Sequence, residues 1–142
     1  MELDNGDEYP IEFRLDPGSG VPPYLQLVQQ VEQALRLGYL VLGDRLPKVK
    51  DVVARLAINP NTVLKAYREL ENKGLVEGRQ GQGTFVVSEL EVMPPRQLQA
   101  LRGGLARWLT QALAAGLDEE GIRALINNVM HELARSNEGK IA

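Results

Sequence analysis

Residues 48–68 hold five basic side chains, Lys48, Lys50, Arg55, Lys65 and Arg68, against one acid, Asp51. Cations gathered in this way can neutralise phosphates, and binding follows local charge more than the total. Asn61, Lys65 and Arg68 are spaced by four and three residues, which puts them on one face of a helix. An asparagine on such a face can make paired hydrogen bonds to an adenine edge. Further on, Gln80 and Gln82 flank Gly81, a tip small and polar enough to enter a minor groove. Catalysis has less to work with. Cysteine is absent, which removes disulfides, a thiol nucleophile and thiolate metal sites. His131 is the single histidine, so His/Cys zinc sites and His-pair metal sites are excluded, and a lone histidine beside Met130 reads as structural. No cofactor is expected.

Net charge points the other way until it is divided. The chain of 142 residues carries 16 Lys+Arg and 19 Asp+Glu, a formal charge of −3. Six of those acids and one base lie in residues 1–16. Residues 17–90 hold nine bases and seven acids, and residues 91–142 hold six of each. The acidic excess is therefore terminal, away from the cationic stretch. Apolar residues at 44% and charged residues at 25% are ordinary for a globular chain able to bury a core. No apolar run approaches the ~20 residues of a membrane span, and MELDNGDEYP lacks the apolar region of a signal peptide. A soluble, cytoplasmic protein is expected.

The elements that must position these groups can be read from periodicity. Residues 1–8 are acidic, poor in apolar side chains and read as disordered. Ile11, Phe13 and Leu15 alternate with Glu12 and Arg14, which predicts a short strand. After a turn at 16–20, Tyr24, Leu27, Val28, Val31 and Leu35 give the stripe of a first helix that Gly38 ends. Gly43-Asp44-Arg45-Leu46-Pro47 predicts a turn and a short extended piece, with Asp44 and Arg45 structural. Val49, Val52, Val53 and Leu56 mark a brief second helix, with Lys48 and Lys50 at its start. Asn59 is placed to cap a third helix that opens on Pro60, buries Val63, Ala66, Tyr67 and Leu70, and ends at Gly74. Tyr24 and Tyr67 fall on apolar stripes and are expected in the core. Strand-like pieces at 75–79 and 84–87 enclose the tip 80–83.

Three helices followed by a hairpin is the order of a winged helix-turn-helix, in which the third helix enters the major groove. On an arbitrary helix Lys65 and Arg68 would be a solvated face; in this order they become a face for DNA. The fold class is mainly α with a small β wing, followed by a C-terminal two-helix segment. Residues 9–90 form the winged helix-turn-helix, 91–97 a linker, and 98–138 the two-helix segment.

In that segment Leu98, Leu101, Leu105, Trp108, Leu109, Ala112 and Leu113 form one stripe, and Ile122, Leu125, Ile126, Val129, Met130 and Leu133 another. Gly103-Gly104 weakens the first helix, leaving room for a kink or a close helix approach. Gly116 can stop that helix and Asp118 can cap the next. Two helices cannot enclose a core alone. A homodimer is expected, burying Leu101, Leu105, Trp108, Leu109, Ile122, Leu125, Ile126 and Val129 around a two-fold axis.

The run from Pro23-Tyr24 through Gly43-Asp44-Arg45-Leu46-Pro47, Asn59-Pro60-Asn61-Thr62-Val63-Leu64-Lys65-Ala66-Tyr67 and Gly74-Leu75-Val76-Glu77 to Gly81-Gln82-Gly83-Thr84-Phe85 resembles the GntR family of bacterial transcription regulators. The N-P-N-T-V-x-K-A-Y run and the short tail resemble its YtrA-like subfamily. The resemblance implies a dimeric regulator of a double-stranded DNA operator, usually a repressor, often of a neighbouring transporter operon. It places backbone contacts on Lys48 and Lys50, base reading on Asn61, Thr62 and Lys65, and the wing tip on Gln80, Gly81 and Gln82. Many family members have serine where Lys48 stands and arginines where Pro60 and Leu64 stand. The guanine reading of other subfamilies therefore lacks its residues at those two positions.

Two other classes compete with this one. One is a winged helix used as a protein-interaction scaffold, against which Lys48, Lys50 and Lys65 together argue. The other is a remnant of a regulator fused to a pyridoxal-phosphate enzyme, for which no lysine sits in a plausible cofactor pocket. Enzyme activity is not expected. No small-molecule effector is named by the sequence; two helices leave little room for a ~300 Å³ pocket, and a dimer cleft is the remaining place for one.

Overall fold

The computed structural model describes residues 9–88 and 93–141; the disorder expected for residues 1–8 and the start of the linker at 91–92 lie outside them. The chain divides into two compact units, Met1–Met93 and Pro94–Ala142. The first contains helices α1 (Pro23–Arg36), α2 (Val49–Leu56) and α3 (Pro60–Asn72), then strands β1 (Val76–Arg79) and β2 (Gly83–Val86). The second contains α4 (Pro95–Ala114) and α5 (Glu119–Ile141). Among the described residues no helix is long and apolar enough to cross a membrane.

The head is built on the predicted stripes. Leu27, Val28 and Val31 of α1 and Val63, Ala66 and Leu70 of α3 are fully buried, joined by Val52 of α2 and by Val76 and Val86 of the hairpin. Removing this apolar area from water is the main force holding α3 in place. Helix ends follow local chemistry. Gly38 adopts φ +77 after α1, where Tyr39 N–H donates to the Ala34 carbonyl at 2.8 Å. The left-handed position after α2 is instead held by Ala57, at φ +54.

The strand expected at Ile11–Leu15 does not form. Its alternation is real: Phe13 is buried, Ile11 and Leu15 are half-buried, and Glu12 and Arg14 are exposed. The backbone is extended, but its partner is a helix rather than a strand. The Gln30 amide accepts from Arg14 N–H at 2.9 Å and donates to the Arg14 carbonyl at 2.7 Å, as a neighbouring strand would. Gln26, a buried polar side chain of α1, accepts from Asp16 N–H at 2.8 Å and donates to the Val21 carbonyl at 2.9 Å, closing the turn. Period-2 burial thus arises without a sheet.

The hairpin is antiparallel, pairing Val76 with Val86 and Arg79 with Gly83. The extended piece at 44–46 lies along β2: Leu46 N–H donates to the Thr84 carbonyl and Val86 N–H to the Asp44 carbonyl, each at 2.8 Å. This ties the start of α2 to the wing.

In the tail, α4 begins at Pro95, three residues before the expected 98, and α5 runs on to Ile141. Gly103-Gly104 lies within a continuous helix. Gly116 follows α4 at φ +103, and Asp118 caps α5 by accepting from Gly121 N–H at 2.8 Å.

Candidate nucleic-acid interface

The start of α3 is fixed by its cap and by its first residue. Asn59 Oδ1 accepts from Asn61 N–H at 2.8 Å, and Pro60 occupies the first helical position, where no donor is needed. With Val63, Ala66, Tyr67 and Leu70 turned inward, Asn61, Lys65 and Arg68 are exposed and Thr62 is half-exposed. Asn61, Thr62 and Lys65 come together with Asn59, Pro23 and Tyr24 around an open concavity of about 310 Å³. Arg68 is exposed on the same helix but outside that concavity.

A second concavity, about 480 Å³, gathers Lys48 with Gln80, Gly81 and Gln82, together with Arg45, Gly78, Arg79, Gly83 and Thr84. Two glycines shape it. Gly81 at the tip has φ +76. Gly83 has φ +120, and a Cβ there would sit 3.1 Å from Arg45 Cδ, so the arginine and the wing approach only over a glycine. Lys50 is exposed on α2 but does not line this concavity.

The packing behind the face ties α3 to the rest of the head. Buried Tyr67 of α3 donates its hydroxyl to the Pro47 carbonyl at 2.5 Å, locking α3 to the residues that introduce α2. Burial pushes the Tyr67 phenol well above its usual range, and nearby Tyr9 adds to the shift. Tyr9 also donates to Asp51 Oδ2 at 2.7 Å, so the acid beside Lys50 is engaged by the chain ahead of α1. The Asp44 carboxylate accepts from Val41 N–H at 2.9 Å, in line with its structural role.

Sequence reasoning missed three contributors. Arg45 stacks over Tyr9 at 5.6 Å and lines the wing concavity, although its setting in a turn suggested structure alone. Arg79 lines the same concavity while lying 4.8 Å over Phe85; its i+6 relation across a hairpin is visible only once the register is known. Tyr24 packs against the core as expected, yet is half-buried, with the Lys65 ammonium 4.0 Å above its ring. Among the described residues no group of three or more His, Cys, Asp or Glu side chains could hold a metal ion.

Three packed helices, an exposed polar and basic start to the third, and a basic wing beside it define a winged helix-turn-helix, a module that reads duplex DNA. The comparisons with known proteins agree. Residues 23–86 match the model of the gntR family of bacterial regulatory proteins. The chain is 31% identical over 118 residues to the HTH-type transcriptional repressor YtrA of Bacillus subtilis, covering 82% of this chain and 91% of that protein. It is 35% identical over 102 residues to the HTH-type transcriptional regulator YhcF of the same organism, covering 72% and 84%. Among solved structures, a transcriptional antiterminator from Listeria monocytogenes is similar with a TM-score of 0.55 at 28% identity, over 85% of this chain and 91% of that one. The chain belongs to the gntR family, and it is a DNA-binding transcription regulator rather than an enzyme.

Proposed function

We propose that this regulator acts in the cytoplasm as a homodimeric repressor that covers an inverted-repeat operator. The observation that carries the reading is the exposed group Asn61, Thr62 and Lys65 at the start of α3, clustered in one concavity. Sequence choice is assigned to these three residues, anchoring on phosphates to Lys48, Lys50 and Arg68, and entry into the minor groove to the wing tip Gln80-Gly81-Gln82. Repression is supported by the similarity to a protein named a transcriptional repressor.

The tail is assigned to dimerisation because its apolar stripes are left uncovered. Leu101 is 57% exposed and Leu105 52%, Leu125 and Val129 are also exposed, and Trp108, Leu109 and Ile126 are only half-buried. Ala112 and Ile122 are the buried residues of this unit among those described. A second copy presents an identical stripe, and pairing two-helix units gives a four-helix arrangement with a two-fold axis. Two linked heads make the second DNA contact intramolecular, raising avidity by roughly 10²–10⁴.

Selection from a randomised duplex pool, paired with sedimentation, tests the reading. The expected outcome is an enriched inverted repeat and a dimer at micromolar concentration. A monomer, or a motif without symmetry, would overturn it.

A further inference from the structure

The N-terminal parts of α1 and α3 border one small concavity, and the side chains that meet there are Tyr24 and Lys65. Pro23, at the first position of α1, sets the backbone that carries Tyr24. The tyrosine is partly buried and packs against the core. Its face lies 4.0 Å below the Lys65 ammonium. A lysine on an exposed helix ordinarily samples many rotamers, and ordering it on binding costs entropy. Here the negative face of the ring attracts the ammonium and holds it beside Asn61 and Thr62.

We propose that Tyr24 is a positioning residue for recognition: its ring holds Lys65 at the start of α3, so that the ammonium meets DNA from one place. The inference rests on the reading that Lys65 contacts DNA. A fixed donor discriminates among base edges, whereas a mobile one finds the nearest phosphate on any sequence. Tyr24 therefore contributes to selectivity more than to general affinity. The interaction needs the π face and not the hydroxyl, which separates it from a direct phosphate contact by the tyrosine.

The test is a double-mutant cycle with Tyr24→Phe, Tyr24→Leu, Lys65→Ala and the Tyr24→Leu/Lys65→Ala pair. Each is titrated against the duplex that the wild-type chain selects from a randomised pool, and against a mixed-sequence duplex of equal length lacking that motif. Tyr24→Phe is expected to bind both like wild type. Tyr24→Leu should weaken the selected duplex about two- to five-fold, the worth of an exposed cation–π contact, with the mixed duplex unchanged. In the Lys65→Ala background the leucine should add nothing. Thermal melts check that the variants fold, and Tyr24→Met provides the same comparison if Tyr24→Leu does not. Equal losses from Tyr24→Leu with and without Lys65 would make the ring mere packing and overturn the proposal. So would a loss in Tyr24→Phe, which would assign the hydroxyl to a phosphate, or tighter binding by Tyr24→Leu, which would make the ring a trap. If Lys65→Ala itself binds the selected duplex normally, the recognition reading fails as well, and the cycle reports that separately.

Discussion

The head and the tail are both built from amphipathic helices, yet they treat their apolar faces in opposite ways. In α1 and α3 the stripe residues Leu27, Val28, Val63 and Leu70 are fully buried within one chain. In α4 and α5 the equivalent positions Leu105, Val129 and Leu133 remain open. Three helices with a hairpin can enclose a core, and two helices cannot. The contrast teaches where each unit obtains its stability. The head's is internal, so substitutions there should register in melting of the head. Under the proposed pairing the tail's comes from association, so substitutions there should register in concentration dependence and in operator affinity.

The largest expected effect is on the tail. Leu105→Glu together with Val129→Glu places charges on the open stripes, where desolvating them would oppose pairing. The variant should sediment as a monomer and lose roughly 10²–10⁴ in affinity for the full operator, while half-site binding persists. A dimeric variant with intact operator affinity would erase the distinction between the two units.

A smaller effect is expected inside the head. Tyr67→Phe leaves the Pro47 carbonyl without its donor, at a cost of about 1–3 kcal/mol in urea melts. The same residue sets an alkaline limit. Its folded pKa is raised, so its contribution to stability is complete below the unfolded value near pH ~10 and is lost as pH rises beyond it, where the unfolded phenol ionises. Wild type should therefore lose more stability than Tyr67→Phe between pH 8 and pH 11. Equal losses would contradict the buried phenol.

The smallest is at the turn between α2 and α3. Ala57 holds φ +54, which glycine adopts without strain. Ala57→Gly should change stability by about 1 kcal/mol or less, toward stabilisation, with DNA binding retained; a large loss would mean that the methyl group packs in a way its exposure denies.

What the sequence made legible is what local chemistry controls. Asn59-Pro60 announced the start of α3, the spacing of Val63, Ala66, Tyr67 and Leu70 announced its inner face, and Gly81 announced the wing tip. What stayed hidden depends on contacts between distant segments. Ile11–Leu15 carried the alternation of a strand, but Gln30 of α1 supplies the pair of hydrogen bonds to Arg14 that a ladder would have given. The engagement of Lys65 by Tyr24 joins residues forty-one apart, and Asp51 with Tyr9 forty-two. No periodicity reports such pairs.

If the exposed start of α3 reads DNA, Lys65 is the side chain whose loss should show it. Lys65 is exposed and lies off the buried stripe, so its loss should leave the core intact. The measurement is the affinity of Lys65→Ala for the duplex selected by the wild-type chain, with the melting temperature recorded alongside. Binding should be weaker by about ten-fold or more, with a melting temperature close to wild type. Undiminished binding by a folded Lys65→Ala protein would contradict it.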